Sequence, residues 1–447
     1  MFTMNHLKIT SLILLFAVCG YSVSAQNNPK LTEVWDPEPA VMQPGVGNKA
    51  PSDAIILFDG KNLNEWTDQK GMPAGWTIKD GILTVKPGSG SIITKRNFAD
   101  CQLHIEWRTP AIVKGEGRER GNSGVILQSR YELQILDSYK NRTYSNGQAG
   151  SVYKQHVPLV NASLKPGEWQ KYDIIYTAPR FNLDSSVKTP AYITVLHNGV
   201  LVQNHVAIKG TVAHVGQPKY TKHNFAQPLL LQEHEFPVSF RNIWIREINV
   251  QKLLNGRDKT GWYTFLDTLG KNNDIHNNFI VENGAVHVMG KYFGYMGTLK
   301  SYSNYYLKVI FKWGTKQYFP RQTGKRDAGI LYHFALMEKD TVWPKSIEFQ
   351  IQEQDCGDFW CVKHTNVDSP NKWEVAWDQK HIFRTANFEK PLGEWNTLEI
   401  ICNGNQIEHY VNGHLVNWGT GSVTEGRILL QSEGAELYYK SVELTPF

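Results

Sequence analysis

Short apolar runs, separated by Gly, Asn, Asp and Pro, make up most of the chain after residue 52. Residues 55–58, 82–85 and 124–127 are such runs, and pairs of turn residues such as Asp80-Gly81 lie between them. This pattern is typical of β-strands joined by tight turns, and no long segment has the period of a helix. The sequence therefore predicts an all-β protein.

The same series of strand and turn signals occurs twice along the chain. The Asn198-Gly199 turn of the first half corresponds to Asn412-Gly413 in the second, and residues 229–232 correspond to 428–431. Each copy has the size of a jelly-roll β-sandwich. We therefore expect two tandem sandwich domains, at residues 53–250 and 258–447, after a proline-rich linker at 26–52.

The first 25 residues predict an export signal. Lys8 precedes a short apolar core, residues 12–19, and small residues ending at Ala25 suit cleavage. The apolar core is too short to span a bilayer, and no other segment is expected to cross a membrane. We expect an exported protein, periplasmic or extracellular. A lipoprotein anchored through Cys19 is the less favoured alternative, because the residues before it match a lipobox poorly.

Charge and cysteine usage narrow the range of partners. The 47 basic and 42 acidic side chains give a net charge of +5 without any block of one sign, which argues against a nucleic-acid partner. Cys356 and Cys361 are five residues apart, and in an oxidising compartment this spacing predicts a disulfide across a turn. Without a second cysteine pair or a convergent histidine, the two thiols make a poor zinc site.

A polar stripe on one predicted strand is the main candidate for chemistry. Polar and apolar residues alternate in 131–138, so Glu132 and Gln134 face away from the core, on the concave face of a sandwich. A bulge would bring Asp137 to the same side. The second module repeats the pattern at Glu348 and Gln350. Polar groups on such a face are suited to binding a sugar.

A second polar cluster contains Gln232, His234 and Arg241. His234 lies between two glutamates and is a candidate general base or metal ligand. The corresponding stretch of the second module contains Glu433 and no histidine. We therefore expect the main active site in the first module. The second module contributes three candidate substrate-binding residues: Glu348, Gln350 and Glu433.

Taken in order, these motifs resemble the 3-keto-disaccharide hydrolase family. In the first module the resemblance rests on residues 58–61, 121–125, 131–138, 166–169, 197–202, 230–234 and 240–243. In the second it rests on residues 347–352, 357–360, 409–413 and 429–436. The resemblance implies concanavalin A-like sandwiches that cleave glycosides oxidised at carbon 3.

The chemistry implied by the resemblance needs few groups. A ketone at C3 acidifies the C2 proton, so a base can remove that proton and expel the C1 substituent, after which water adds to the enone. Either Glu132 or His234 is the candidate base. The residues expected to hold the ketone and hydroxyls are Gln134, Gln232 and Arg241. A divalent metal bound by Glu132, Asp137 and His234 could instead polarise the ketone.

Two other functions fit the same residues. Glu132 and Asp137, five residues apart, have the spacing of nucleophile and acid/base in retaining sandwich glucanases, which need carboxyl groups about 5–5.5 Å apart. A non-catalytic carbohydrate-binding protein is the other alternative. In every case the predicted partner is an oligosaccharide or glycoside.

Overall fold

The structure is a computed structural model that describes residues 29–35, 38–47 and 49–447. It divides into two units, Met1–Asp53 and Ala54–Phe447. The described part of the first unit is mostly exposed and contains one 3-10 turn, Pro29–Thr32. The predicted export signal and Cys19 lie outside the described residues. In the part of the chain that is described, no helix is long and apolar enough to span a membrane.

The larger unit begins with a sandwich of fifteen strands. In chain order they are β1 Ile55–Phe58, β2 Trp66–Asp68, β3 Thr77–Lys79, β4 Ile82–Thr84, β5 Ile92–Phe98, β6 Cys101–Arg108, β7 Ser123–Leu127, β8 Tyr131–Ile135, β9 Gln170–Thr177, β10 Arg180–Phe181, β11 Val187–Thr189, β12 Tyr192–His197, β13 Val200–Ala207, β14 Gln227–Leu231 and β15 Ser239–Glu247. One sheet has the order β13-β12-β9-β6-β15-β4-β3, with β1 also paired to β15, and the other has the order β2-β5-β14-β7-β8. Strands β10 and β11 form a separate hairpin.

A second sandwich of eighteen strands follows. They are β16 Gln251–Lys252, β17 Trp262–Leu266, β18 Gly270–Lys271, β19 Phe279–Glu282, β20 Ala285–Val288, β21 Gly294–Thr298, β22 Tyr305–Gln317, β23 Gly329–Phe334, β24 Ser346–Gln350, β25 Phe359–Val362, β26 Val367–Asp368, β27 Trp373–Ala376, β28 Gln379–Ile382, β29 Asn396–Asn403, β30 Gln406–Val411, β31 His414–Gly421, β32 Arg427–Ser432 and β33 Ala435–Pro446. One sheet has the order β19-β20-β33-β22-β29-β30-β31-β26, with β16 also paired to β33. The other has the order β18-β17-β21-β32-β23-β24-β25-β28-β27.

Each sandwich closes around one apolar core to which both of its sheets contribute. In the first, Leu103 and Ile105 of β6 pack in the same cluster as Leu133 and Ile135 of β8. Apart from Pro29–Thr32 and the two short 3-10 turns Gly117–Glu119 and Ser145–Gly147, all regular structure in the described residues is β-strand. The prediction of two tandem, concanavalin A-like jelly-roll sandwiches is confirmed.

Turns and strand pairing repeat from one sandwich to the other. Asn198 and Asn412 each begin a two-residue hairpin turn, with φ of 53° and 50°, and each is followed by a glycine that also has a positive φ. Such values at both central residues define the tight turn that matches the twist of paired strands. The β7–β8 and β23–β24 hairpins also share one register, in which Gly124 lies opposite Gln134 and Gly329 opposite Gln350.

The two sandwiches touch through polar and aromatic contacts. Lys222 Nζ lies 2.6 Å from Glu408 Oε1, and the rings of Phe225 and Tyr306 stack with centroids 4.3 Å apart. The side chain of Glu408 is almost completely buried. Removing one partner of an ion pair in that position lowers the stability of the fold by several kcal/mol, because the remaining charge is left buried.

The predicted disulfide between Cys356 and Cys361 is wrong for this structure. Both cysteines are free, and both are buried in the core of the second sandwich. Cys361 belongs to the extended strand β25, in which each residue advances about 3.3 Å, and this carries its thiol away from the turn that contains Cys356. The spacing alone gave no information on this separation.

Candidate active site on the small sheet of the first sandwich

A row of three residues crosses the β14-β7-β8 sheet of the first sandwich. Gly124 lies opposite Gln134 of β8, and its carbonyl accepts a 3.0 Å hydrogen bond from the backbone N–H of Gln232, just after β14. Residues opposite each other on neighbouring strands share one face. Leu133 is in the core, so this face is the outer one. We call Gln232, Gly124 and Gln134 the first glutamine row.

Glu132 lies beside this row and is 5% exposed. A Cβ atom on Gly124 would come within 2.9 Å of Glu132 Oε1, so the glycine leaves the space that the carboxylate occupies. Burial raises the pKa of Glu132 to about 7, and the nearby Arg118 guanidinium opposes that rise. No described side chain donates a hydrogen bond to this carboxylate. A carboxyl with a pKa near neutrality and an unused acceptor is suited to act as a general base.

Three other polar atoms in this region are buried and have no hydrogen-bond partner: Gln134 Oε1, Gln232 Oε1 and His234 Nδ1. The other end of the Gln134 amide is fixed, because Nε2 donates a 2.9 Å hydrogen bond to Asn122 Oδ1. Buried polar atoms without a partner are rare in folded proteins and need an explanation. A polar ligand bound at the first glutamine row would supply hydrogen-bond partners for these atoms.

Asp137 is on the predicted side of the strand but is already paired. Ile135 and Leu136 both contact the core, so the alternation breaks between them and Asp137 turns away from the core. Its carboxylate accepts hydrogen bonds from Nε and Nη2 of Arg120, the first at 2.9 Å. Asp137 and Arg120 are therefore a buried ion pair rather than a free catalytic acid.

Arg241 is not part of this site, and that prediction is wrong. It belongs to β15 in the other sheet of the sandwich, where its neighbour Phe240 points into the core. Its Nε lies 2.6 Å from Glu106 Oε2, and its guanidinium stacks 4.2 Å from the ring of Trp169. Strand alternation places Arg241 on the outer face of that sheet, on the opposite side of the core from Glu132.

His234 lies two residues after Gln232, in the loop that leaves β14. The preceding Glu233 is held by this loop: its carboxylate accepts hydrogen bonds from the backbone N–H groups of Gly88 and Glu235. The metal set predicted from sequence does not fit. Among the residues described, no group of three or more His, Cys, Asp or Glu side chains is arranged to hold a metal ion. The Asp137 carboxylate, one of the three predicted ligands, is instead paired with the Arg120 guanidinium.

The second sandwich contains an equivalent row. Gly329 lies opposite Gln350, and Gln431 follows the Leu430–Ile330 pair of the adjoining strand. Glu348 lies beside them in the position of Glu132, and a Cβ on Gly329 would overlap its carboxylate. We call Gln431, Gly329 and Gln350 the second glutamine row.

Charge distinguishes the second row from the first. Asp327 takes the place of Asn122, and Glu433 lies two residues after Gln431, as His234 does after Gln232. Arg321 Nη2 bridges these two carboxylates, at 2.5 Å from each. Burial is the largest cause that raises the pKa of Glu348, Asp327 and Glu433 from the usual carboxyl values.

Sequence reasoning missed Asn122, Asp327, Arg118 and Arg321. A signal existed for the first two. Residues 124–127 (GVIL) resemble residues 329–332 (GILY), and extending this match by two residues towards the N-terminus aligns Asn122 with Asp327. Arg118 lies in the short 3-10 turn Gly117–Glu119 before β7, and Arg321 lies in the loop before β23. In neither segment does a strand pattern indicate which way a side chain points.

Comparison with known proteins agrees with this duplicated geometry. The sequence matches the 3-keto-alpha-glucoside-1,2-lyase-like domain twice, over residues 53–246 and 249–445. No curated protein matches the chain.

Three similar solved structures each cover less than half of this chain. A candidate glycosyl hydrolase from Parabacteroides distasonis is 50% identical over 49% of this chain and 97% of its own, with a TM-score of 0.48. A second candidate glycosyl hydrolase from that organism is 19% identical, over 44% and 94%, with a TM-score of 0.32. The β-glucanase of Bacillus licheniformis is 15% identical, over 44% and 97%, with a TM-score of 0.29. Since the family match covers nearly all residues after 52, this chain belongs to the 3-keto-alpha-glucoside-1,2-lyase-like domain family, a carbohydrate-active, glycosyl hydrolase-like family, and carries two copies of its domain.

Proposed function

We propose that the first sandwich cleaves 3-keto-glycosides, with Glu132 as the base. The observation that carries this proposal is the environment of the Glu132 carboxyl. It is buried beside the first glutamine row, no described side chain bonds to it, and its pKa is raised to about 7. Near neutral pH such a group exists in both forms, so it can take a proton and return it.

The reaction runs in two balanced steps. Glu132 takes the C2 proton, and the electron pair of that C–H bond forms an enolate with the C3 ketone. When the ketone re-forms, the C1–O bond breaks and the aglycone leaves as an alcohol after taking a proton. Water then adds to C1 of the enone while C2 regains a proton, so the net change is hydrolysis.

The neighbouring residues supply binding and charge. Arg118 is close enough to Glu132 to influence its pKa, and it supplies the positive charge that a developing enolate oxygen needs. The free oxygens of Gln134 and Gln232 accept hydrogen bonds from sugar hydroxyls. His234, with its unpartnered Nδ1, is the second candidate for proton transfer.

Direct retaining hydrolysis by Glu132 and Asp137 is the weaker candidate. That mechanism needs one carboxyl that can hold a proton for the leaving group. Both oxygens of the Asp137 carboxylate are already engaged, because Oδ2 accepts two hydrogen bonds from the Arg120 guanidinium and Oδ1 accepts one from the backbone N–H of Tyr139.

The test is turnover by the full chain on a 3-keto-disaccharide and on its unoxidised parent, each with and without a chelator. We expect cleavage of the 3-keto sugar alone. Glu132→Gln should lower kcat by roughly 10²–10⁴-fold, the usual contribution of a positioned proton transfer. The matched variant Glu348→Gln changes the equivalent glutamate, and the ratio of the two losses identifies the copy that carries the reaction.

Three outcomes would contradict the proposal. Cleavage of the unoxidised sugar at a similar rate would support the glucanase alternative. Binding of both sugars without turnover would support a purely carbohydrate-binding protein. A larger loss for Glu348→Gln than for Glu132→Gln would move the reaction to the second sandwich.

A further inference from the structure

The second glutamine row has features of a ligand site that the reaction above does not use. Gln350 is 6% exposed and Gln431 is 0% exposed, and the side-chain oxygen of each has no hydrogen-bond partner. Gln350 lies opposite Gly329, and a Cβ on that glycine would lie 3.0 Å from Gln431 Oε1. Two buried acceptors without partners beside one glycine need donors, and the hydroxyl groups of a ligand would supply them.

An aromatic side chain stands at the rim of this site. Trp343 is 41% exposed, and its indole N–H donates a 3.3 Å hydrogen bond to Glu433 Oε2. Phe293 packs edge-on against the same ring, with centroids 6.1 Å apart, and so supports it. Aromatic rings offer a flat apolar face, and sugar rings have an apolar face of matching size.

The charges around the row nearly cancel. Arg321 contacts both Asp327 and Glu433, and its single positive charge offsets one carboxylate. Burial raises the pKa of all three neighbouring carboxyls, the third being Glu348, so they resist ionisation. A neutral ligand rich in hydroxyl donors suits this environment better than an ionised one.

We propose that the second glutamine row is a non-catalytic binding site for a neutral sugar, whose ring stacks on Trp343 while its hydroxyls donate to Gln350 and Gln431. Glu348 is 5% exposed and lies against Gly329, and burial favours its protonated form, so its role there is that of a hydrogen-bond donor and not of a base. The first glutamine row has Asn122 and His234 where this one has Asp327 and Glu433, so it lacks the arginine-bridged pair of carboxyls. The inference concerns binding only and does not rest on the reaction proposed above.

The experiment is calorimetric titration of the full chain carrying Glu132→Gln, which slows any turnover, with maltose, sucrose and trehalose as probes. We expect two binding events for at least one of these sugars. Adding Trp343→Ala should weaken one event at least about tenfold, the size expected for loss of an aromatic contact. Trp377→Ala is the matched control, because Trp377 is 88% exposed in the turn between β27 and β28 of the same sandwich.

Further arms make the test decisive. Gln350→Met removes the free acceptor without touching the aromatic ring and should weaken the same event, and thermal melting reports whether each variant is folded. Glucuronic acid and glucosamine, which carry charge, should bind this site more weakly than glucose. The proposal is overturned if no probe gives a second event, or if Trp343→Ala and Trp377→Ala have equal effects. If the wild-type chain does not cleave 3-keto sugars but this second binding event is present, only the proposed reaction is refuted.

Discussion

Replacing Glu132 by glutamine should make the protein more stable above neutral pH at the same time as it removes the base. Burial raises the pKa of this carboxyl from 4.5 to about 7. Folding therefore favours the protonated form, and ionisation at higher pH works against the fold. Glutamine has nearly the same shape and never ionises, so it does not incur that cost.

The size of the effect follows from the pKa difference. At 1.36 kcal/mol for each pKa unit, a rise from 4.5 to about 7 corresponds to about 3 kcal/mol. The sign is fixed by linkage: the native state binds more protons than the unfolded state between these two values, so stability falls as the pH rises through that window. Glu132→Gln should match the wild type near pH 4 and exceed it by about 3 kcal/mol near pH 8.

Thermal melting of both proteins from pH 4 to pH 8 is the assay. A difference of about 3 kcal/mol in a domain of this size shifts Tm by roughly 6–12 °C. The difference in Tm between wild type and variant at each pH removes the contributions of the other titrating groups, because both proteins share them. Glu119→Gln removes the same charge at an exposed position and controls for charge itself. A Tm difference that stays constant across the range would refute a buried, uncompensated Glu132.

Three more perturbations test other parts of the structure. Gly124→Ala should lower kcat/KM for the 3-keto sugar at least about tenfold by displacing the Glu132 carboxylate, while melting shows a stability change below about 1 kcal/mol, since only a flexible side chain must move. Arg120→Met should cost roughly 3–5 kcal/mol in denaturant unfolding, because it leaves Asp137 buried without its partner; a loss under about 1 kcal/mol would contradict this. The cysteines of the second sandwich should resist alkylation until the protein unfolds, and reductant should leave Tm unchanged; a mass consistent with a disulfide would overturn the free-thiol assignment.

Local patterns in the sequence were sufficient for the fold and for one strand of the site. Strict alternation in residues 131–135 fixes which side chains face the core, and this alone places Glu132 and Gln134 on the outer face. Repetition of the pattern at Glu348 made the duplication visible. Both inferences need only the geometry of a single strand.

The parts that failed depend on which strands become neighbours. Arg241 lies close to Gln232 and His234 in sequence, but β15 enters the other sheet, so its side chain reaches the opposite side of the sandwich. The pairing of Asp137 with Arg120 joins residues 17 positions apart, which lie just beyond the open end of the β7–β8 hairpin. Strand order and loop paths are set by tertiary packing, and neither is encoded in the period of a strand.

The two glutamine rows show how one duplicated scaffold can support two roles. The backbone register, the central glycine, both glutamines and the adjacent glutamate are the same in each. What differs is charge: the position of Asn122 holds Asp327, and Arg321 offsets the carboxylates of the second row. A second carboxyl near a buried glutamate raises its pKa further, so a smaller fraction of that glutamate is ionised and able to take up a proton near neutral pH. A lone glutamate beside an arginine keeps a pKa from which a proton can be taken up and returned at neutral pH, which is why the simpler of the two rows is the better candidate for catalysis.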